Sequence, residues 1–397
     1  MITHEEAIAI LDNSLSAWKP AREKVASRDA GARWLLEDAV SLIDQPPFDR
    51  SAVDGYALIQ GDHSESFRMV EVVAAGRTPS RRLEPGTTIK VMTGAPVPEG
   101  TGRVVMVEEA VDKDGKVLLR DAGGSSNIQK QAEDVRQGDV VITAGQRLSA
   151  ADIGILISCG IMEVAVSRPI RVSIVSTGSE IVDDPSMLGH ARIMDSNRPM
   201  MAALSRESGL EVVRESQAPD DRKTIADEIR LGLDASDLIL VSGGVSVGDF
   251  DFAAEAMQDA GLEVRFSRVA QKPGKPLTFA FAQGKVAFGL PGNPVAVFLM
   301  FHLFVRRAQA WMSGGRPDSG VIAARLGRPF TRKKADRTQF VPCRLTEGGL
   351  VEAIAYHGSA HLAALASTRG FFKVSKGVKT IEEGQEVVFV PIRRLCA

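Results

Sequence analysis

The sequence predicts a doubly wound α/β domain joined to small all-β modules, in one elongated, multidomain chain. Three observations carry that expectation. Strand-like and helix-like stretches alternate from Val172 to Met312, the pattern of a largely parallel sheet covered on both faces. Short β runs separated by turn residues fill Phe67 to Val141 and Val321 to Ile392. Three glycine- or proline-bent turns interrupt the strands of the α/β stretch. The expected division is an N-terminal helical and linker domain split between 1–47 and 141–168, and an inserted β module at 48–140. The α/β domain follows at 169–314 and a C-terminal β module at 315–397.

In chain order, Thr3-His-Glu-Glu6 is a capping box that opens a helix with the apolar stripe Ile8, Leu11 and Leu15. A second helix is expected from Ala30 to Ile43, stopped by Pro46-Pro47. In the inserted module the clearest strands are Arg68–Ala74, Thr88–Met92, Arg103–Glu109 and Val117–Arg120, with a hairpin turn at Asp112–Gly115. Ala150 to Cys159 is a short apolar helix, and Arg168-Pro169 a linker. Strand Val172–Ser176, helix Arg198–Ser208, strand Glu211–Glu215 and a helix ending at Leu233 lead to Leu238–Val241, an apolar run suited to a strand buried on both faces. A helix from Phe252 to Ala260, strands Val264–Val269, Leu277–Phe281 and Val286–Leu290, and a covering helix Pro294–Met312 complete the domain.

Composition excludes several classes. Hydrophobic content of 44% and charged content of 25% are ordinary for a globular protein, and a net charge of −2 argues against a general nucleic-acid binder. Cys159, Cys343 and Cys396 lack metal-binding spacing, and their odd number fits a reducing cytosol. The longest apolar run, Val295 to Val305, is too short to span a bilayer, and no leader opens the chain. A cytoplasmic protein with no membrane or nucleic-acid partner is expected.

The chemistry is expected where strands end in tight turns. Ser242-Gly243-Gly244 follows a strand, and Ser246, Gly248, Asp249 and Asp251 follow in turn before the helix. Glycines there let backbone amides crowd an anion. Lys272-Pro-Gly274-Lys275 and Pro291-Gly292-Asn293-Pro294 are two further turns, the first bearing point charges and the second opening a helix with Asn293 as N-cap. Thr177-Gly-Ser-Glu180 and Asp220-Asp221 end two more strands. In such a sheet these turns share one rim, so Glu180, Asp220 or Asp221, and Asp251 can converge to hold Mg²⁺ against a phosphate. Local sequence leaves Asp54, Thr93 and the polar stretch Asn127–Asp134 as ordinary turns and solvated loop.

Taken together these residues resemble the MoeA-type molybdopterin molybdenumtransferases of molybdenum cofactor biosynthesis. The matching motifs are Pro46-Pro-Phe-Asp with Ser-Ala-Val-Asp54-Gly-Tyr-Ala, Met92-Thr93-Gly-Ala-Pro, Asn127-Ile with Glu133-Asp134, and Thr177-Gly-Ser-Glu180. Ser242-Gly-Gly-Val-Ser-Val-Gly-Asp, Lys272-Pro-Gly-Lys-Pro and Leu290-Pro-Gly-Asn-Pro complete the set, in order from the N-terminus to about residue 312. The resemblance implies a molybdopterin-binding-like α/β domain, four domains and an elongated homodimer. It also implies a Mg²⁺-dependent transfer in which molybdate and adenylylated molybdopterin give molybdenum cofactor and AMP.

It further implies a site shared between subunits, with Asp54, Thr93 and Asp134 contributed by the β module of the partner. Asp251, Lys272 and Lys275 join them as catalytic groups, and Ser359 of the C-terminal module helps hold molybdate. Other cofactor-biosynthesis proteins are implied as further partners. The chain departs from the family pattern at Gln129, Ala132, Arg268 and Pro342, the first and last replacing basic residues. Two alternatives share the fold: a molybdopterin adenylyltransferase, and a peptide-binding scaffold that clusters receptors.

Overall fold

The computed structural model describes residues 1–120, 124–243, 252–282, 284–317 and 320–392. Its centre is a six-stranded sheet in the order Glu211–Ala218, Arg171–Thr177, Leu238–Ser242, Lys285–Leu290, Pro276–Ala282, Glu263–Arg268. The first four strands are parallel to one another; Pro276–Ala282 runs antiparallel to its neighbours on both sides, so Glu263–Arg268 has the direction of the first four. Side-chain alternation explains the two layers around it. Leu238 and Leu240 face a core shared with helices His4–Leu15, Asn197–Ser208 and Pro294–Met300, whereas Ile239 and Val241 face helices Arg222–Ala235 and Ala253–Asp259. Each of these four strand residues is fully buried.

Register sets the working edge. Thr177 pairs with Ala218, Ser176 with Ser242, and Ser242 with Leu290, so these parallel strands finish at one rim. The chain leaves Arg171–Thr177 for the strand on one side, then returns for the strand on the other. The crossover helices Asn197–Ser208 and Arg222–Ala235 accordingly lie on opposite faces. This reversal is a topological switch point, where such sheets open a crevice at their carboxyl ends.

The flanking parts are tied on by polar and strand contacts. Helix His4–Leu15 starts with the expected Thr3–Glu6 capping box. Its Asp12 accepts two 2.7 Å bonds from Arg307 and a 2.8 Å bond from the Trp311 indole. Strand Arg22–Ala26 pairs with Glu163–Ser167. The inserted sheet runs in the order Thr101–Met106, Gly55–Ile59, Thr87–Val91, Ser66–Val73, Lys116–Leu119, Ala110–Lys113. In the C-terminal sheet, Gln271–Lys272 of the α/β stretch adds itself as an edge strand beside Thr338–Leu345. No helix among the described residues is long and apolar enough to cross a membrane.

The structure corrects one element. Residues 30–43 do not form a helix; they follow a 3₁₀ turn at Ser27–Asp29, bridge at Trp34 and Leu35, and form a short strand at Ala39–Val40. The Leu35–Ala39 spacing mimics a helical stripe, yet Ala32 adopts φ +63° and Leu35 N donates to Gln146 O. Partners distant in sequence take the backbone bonds that a helix would have used, and tertiary context overrides propensity. Similarly, the strand expected at Arg103–Glu109 stops at Met106 and turns into 3₁₀ geometry.

Helix Pro294–Met300 continues through a π turn at Phe301–Val305 into Arg306–Met312. Within that turn the His302 Nε2 is buried without a partner among the described residues, and burial, with Arg306 nearby, pushes the imidazole down to about 3. Burial also lowers His4. Both are neutral when folded, so below about pH 6.5 the unfolded chain binds protons that the folded chain refuses. Stability is therefore expected to be complete above that pH and to fall as pH drops towards 5. Urea midpoints at pH 7.5 and 5.0 measure it, and His302→Phe should flatten the dependence; an unchanged slope in the variant contradicts the assignment.

Candidate functional site

The first turn at the rim is built by Gly178. At φ +151° it folds the chain so closely that an added Cβ would lie 2.7 Å from the Glu180 carboxylate. Ser179 N donates to Asp220 Oδ2 at 3.3 Å, which joins this turn to the loop after the neighbouring strand. Asp221 has another task. Its Oδ2 accepts from Thr224 Oγ1 at 2.6 Å and Thr224 N at 2.8 Å, capping helix Arg222–Ala235, and these bonds hold its carboxyl below the usual range. The geometry thus leaves Asp220 beside Glu180 and commits Asp221 to the helix.

Next to this turn the strand Leu238–Ser242 ends at Gly243, with φ +96°. A Cβ there would sit 2.3 Å from Thr177 O and 2.7 Å from Thr177 Oγ1, so only glycine permits the two strand ends to approach. Buried Ser242 donates weakly to Pro291 O at 3.4 Å and accepts from Asn197 Nδ2 at 2.9 Å. The same Nδ2 donates to Gly292 O at 2.7 Å. One amide therefore ties the strand end to the Pro291–Asn293 turn. With its nitrogen engaged twice, Asn197 Oδ1 is a fixed acceptor, and both it and Thr177 Oγ1 are buried without partners among the described residues. Buried polar atoms left this way point to a ligand or water.

Asn197 was not a candidate in the sequence. The local signal, Asp195-Ser-Asn197 before a helix, reads as ordinary capping. In fact Asp195 is buried and accepts from Ser176 Oγ at 2.6 Å and Arg198 Nε at 3.1 Å, anchoring the helix start to the central strand.

Pro294 opens its helix and Asn293 occupies the N-cap position, but the Asn293 side chain makes no capping bond. The Val295 amide donates to Ser359 O at 3.1 Å. That bond brings the C-terminal module onto the turn. The lysine turn is also braced: Lys272 pairs with Gln339, and Val269 N donates to Lys275 O at 2.9 Å. Gly274, at φ +90°, packs where a Cβ would meet Met300 Sδ at 2.6 Å. Lys272 is exposed and Lys275 half-buried, and neither forms an ion pair among the described residues. Pro342 is buried in strand Thr338–Leu345 opposite Phe371, away from any ligand role.

Gly244, Ser246, Gly248, Asp249 and Asp251 lie outside the described residues. In the inserted module, Asp54 Oδ1 accepts from Thr93 N and Thr93 Oγ1, each at 2.7 Å, which keeps the acid below the usual carboxylate range. Asp134 is exposed, with its amide donated to Gln45 O. Gln129 accepts from Arg50 Nε at 2.8 Å. Among the described residues, Asp54, Thr93 and Asp134 make no side-chain hydrogen bond to the α/β domain. Within one chain the structure gathers Thr177–Glu180, Asp220, Ser242, Gly243, Pro291–Asn293 and Ser359, and bonds Asp54 to Thr93 in the inserted module.

Close-approach glycines, two lysines without ion pairs among the described residues and two acids at a switch-point rim give the arrangement by which α/β domains of this class bind anions, here carried by a multidomain chain. Residues 2–160 match the MoeA N-terminal region (domain I and II), 173–310 a probable molybdopterin binding domain, and 323–392 the MoeA C-terminal region (domain IV). The chain is 33% identical over 359 residues to a molybdopterin molybdenumtransferase of Staphylococcus epidermidis and 34% identical to one of Staphylococcus aureus, covering 85% of each chain. A molybdopterin biosynthesis MoeA protein of Pyrococcus horikoshii superposes with a TM-score of 0.84 at 28% identity, over 99% of this chain and 100% of the other. The chain belongs to the MoeA family of molybdopterin molybdenumtransferases, enzymes of molybdenum cofactor biosynthesis.

The two rim glycines should respond differently to substitution. Gly243→Ala is expected to destabilise by about 2 kcal/mol or more, from the left-handed backbone and the carbonyl clash. Gly292→Ala, whose Cβ would have its nearest neighbour at 3.9 Å, should be tolerated. Denaturant midpoints of the two variants compare them, and equal midpoints would refute the close-approach argument.

Proposed function

We propose that this chain inserts molybdenum from molybdate into adenylylated molybdopterin, releasing AMP and forming molybdenum cofactor. The observation that carries the reading is the Asn197 tie between Ser242 and Gly292, which sets an unpartnered acceptor and the Thr177 hydroxyl beside the acid-bearing Thr177–Glu180 turn. The names of its relatives supply the pterin and the metal.

Glu180 and Asp220 are oxygen donors on either side of Ser179, suited to a hard cation. Among the described residues no cage of three or more acid, histidine or cysteine side chains occurs. That fits Mg²⁺, which takes one or two carboxylates and completes its shell with water and substrate phosphate. When bound, Mg²⁺ supplies neutralisation of charge on the anhydride oxygens. Asp251 remains a proposed ligand and catalytic group with no geometry to add.

The chain's own residues act by binding and orientation. Asn197 Oδ1 and Thr177 Oγ1 accept donors from the pterin nucleotide, and the Gly243 and Gly292 turns admit it closely. Lys272 and Lys275, without a carboxylate partner among the described residues, meet the molybdate charge, with the Ser359 hydroxyl alongside. Little proton transfer is required of the protein; positioning and charge neutralisation lower the barrier. Asp54, Thr93 and Asp134 act from a second copy of the chain in a homodimer. The described cysteines are buried free thiols, which supports a reducing cytoplasmic setting.

AMP release from adenylylated molybdopterin with molybdate and Mg²⁺ tests the reading. Lys272→Ala and Asp220→Ala are expected to lower kcat/KM by roughly 100-fold, whereas Asp221→Ala should lower thermal stability and leave turnover near normal. No AMP release by the wild-type protein would end the proposal. A shared site adds a second test: Asp54→Asn and Lys272→Ala chains, inactive alone, should regain about a quarter of wild-type activity when unfolded and refolded together. Failure to regain activity, with heterodimers present, would place both halves in one subunit.

A further inference from the structure

The fully buried side chain of Gln271 lies just ahead of the lysine turn. Its Nε2 donates across the turn to Gly274 O at 3.3 Å and to Met300 Sδ at 2.7 Å. Its Oε1 faces His4 Nδ1 at 2.8 Å. With the amide nitrogen engaged, the oxygen is the acceptor, so His4 carries its proton on Nδ1. The His4 ring packs against Phe304 of the covering helix, with ring centres 5.6 Å apart, and Phe340 of the C-terminal module, at 5.1 Å.

The main chain follows the same route. Ile2 N donates to Arg268 O at 3.2 Å, and Ala270 N to Ile2 O at 2.7 Å, so residues 2–4 run along the segment that enters the turn. A buried glutamine surrounded by Met300, Phe304 and Phe340 gives less stability than a leucine of similar size, because its polar atoms lose water. What it adds is direction: its three side-chain bonds fix where the Gly274 carbonyl points, and thereby how the lysines on either side leave the turn.

We propose that Gln271 and His4 are positioning residues that aim Lys272 and Lys275 at the oxyanion substrate, so that the N-terminal segment of the chain tunes the lysine turn through a buried amide. The oxyanion is molybdate on the function proposed above, and the clamp rests on that reading only for the identity of the anion. The amide sets the lysine geometry without touching substrate itself. It therefore acts on binding of the anion and leaves the pterin nucleotide, held at the other turns, largely unaffected.

The test uses full-length Gln271→Leu and His4→Phe proteins, each first shown to unfold cooperatively. Expected are a rise of about tenfold or more in KM for molybdate, with KM for adenylylated molybdopterin within about twofold of wild type. The doubly substituted protein, in which neither an imidazole nor an amide is left facing an apolar neighbour and only the Gly274 carbonyl loses a donor, should recover much of the thermal stability without recovering the molybdate KM; recovery of both would make the pair merely structural and overturn the proposal. A second readout needs no turnover. Acetylation rates of Lys272 and Lys275, followed by mass spectrometry against Lys333 and Lys334 in the same sample, should change in Gln271→Leu. Unchanged rates in folded protein overturn the clamp. Changed rates with an unchanged molybdate KM uphold the clamp but remove molybdate from the turn, so that the assignment of the two lysines to molybdate fails while turnover itself stands.

Discussion

The whole rim depends on how closely two parallel strands end. Gly243 lies against the Thr177 carbonyl at a distance that no side chain permits, and the Asn197 amide then locks the adjacent strand end to Gly292. Without the first contact the turns would splay, and without the second the Pro291 turn would have no fixed height over the sheet. Both are short, directional and buried, the conditions under which one hydrogen bond or one missing methyl group controls a position. The acids and lysines are arranged around this fixed point.

The neighbouring modules serve as braces. The C-terminal module closes the Val295 amide through Ser359 and takes Gln271–Lys272 as an edge strand, so it touches two of the rim's turns. The N-terminal helix grips the covering helix through Asp12 and reaches the lysine turn through His4. The attached modules limit the freedom of turns that, alone, would sample many conformations, which lowers the entropic cost of holding a bulky, highly charged ligand.

The motifs that carry chemistry were legible because they are local. Gly178, Gly243 and Gly274 announce turns with positive φ, and each has it. The alternation of Leu238, Ile239, Leu240 and Val241 announces a strand buried on both faces. Asp221 shows the limit of that reading. An acid after a strand suits a cap and a metal ligand equally, and only the bonds from Thr224 distinguish them. Asn197 shows the converse, a polar residue with an unremarkable sequence context whose partners lie 45 and 95 positions away.

Sequence alone determined the class of sheet, the turns that end its strands and the residue types available to bind an anion, since hydrophobic period and backbone permissiveness act over a few residues. Tertiary structure decided which of those residues meet. It turned the expected helix at 30–43 into bridges and a short strand, gave Asp220 and Asp221 different partners, and bonded Asp54 to Thr93. The physical reason is the same in each case. A hydrogen bond or close contact between distant segments exists only once the chain has folded, and its direction is not encoded in either segment by itself.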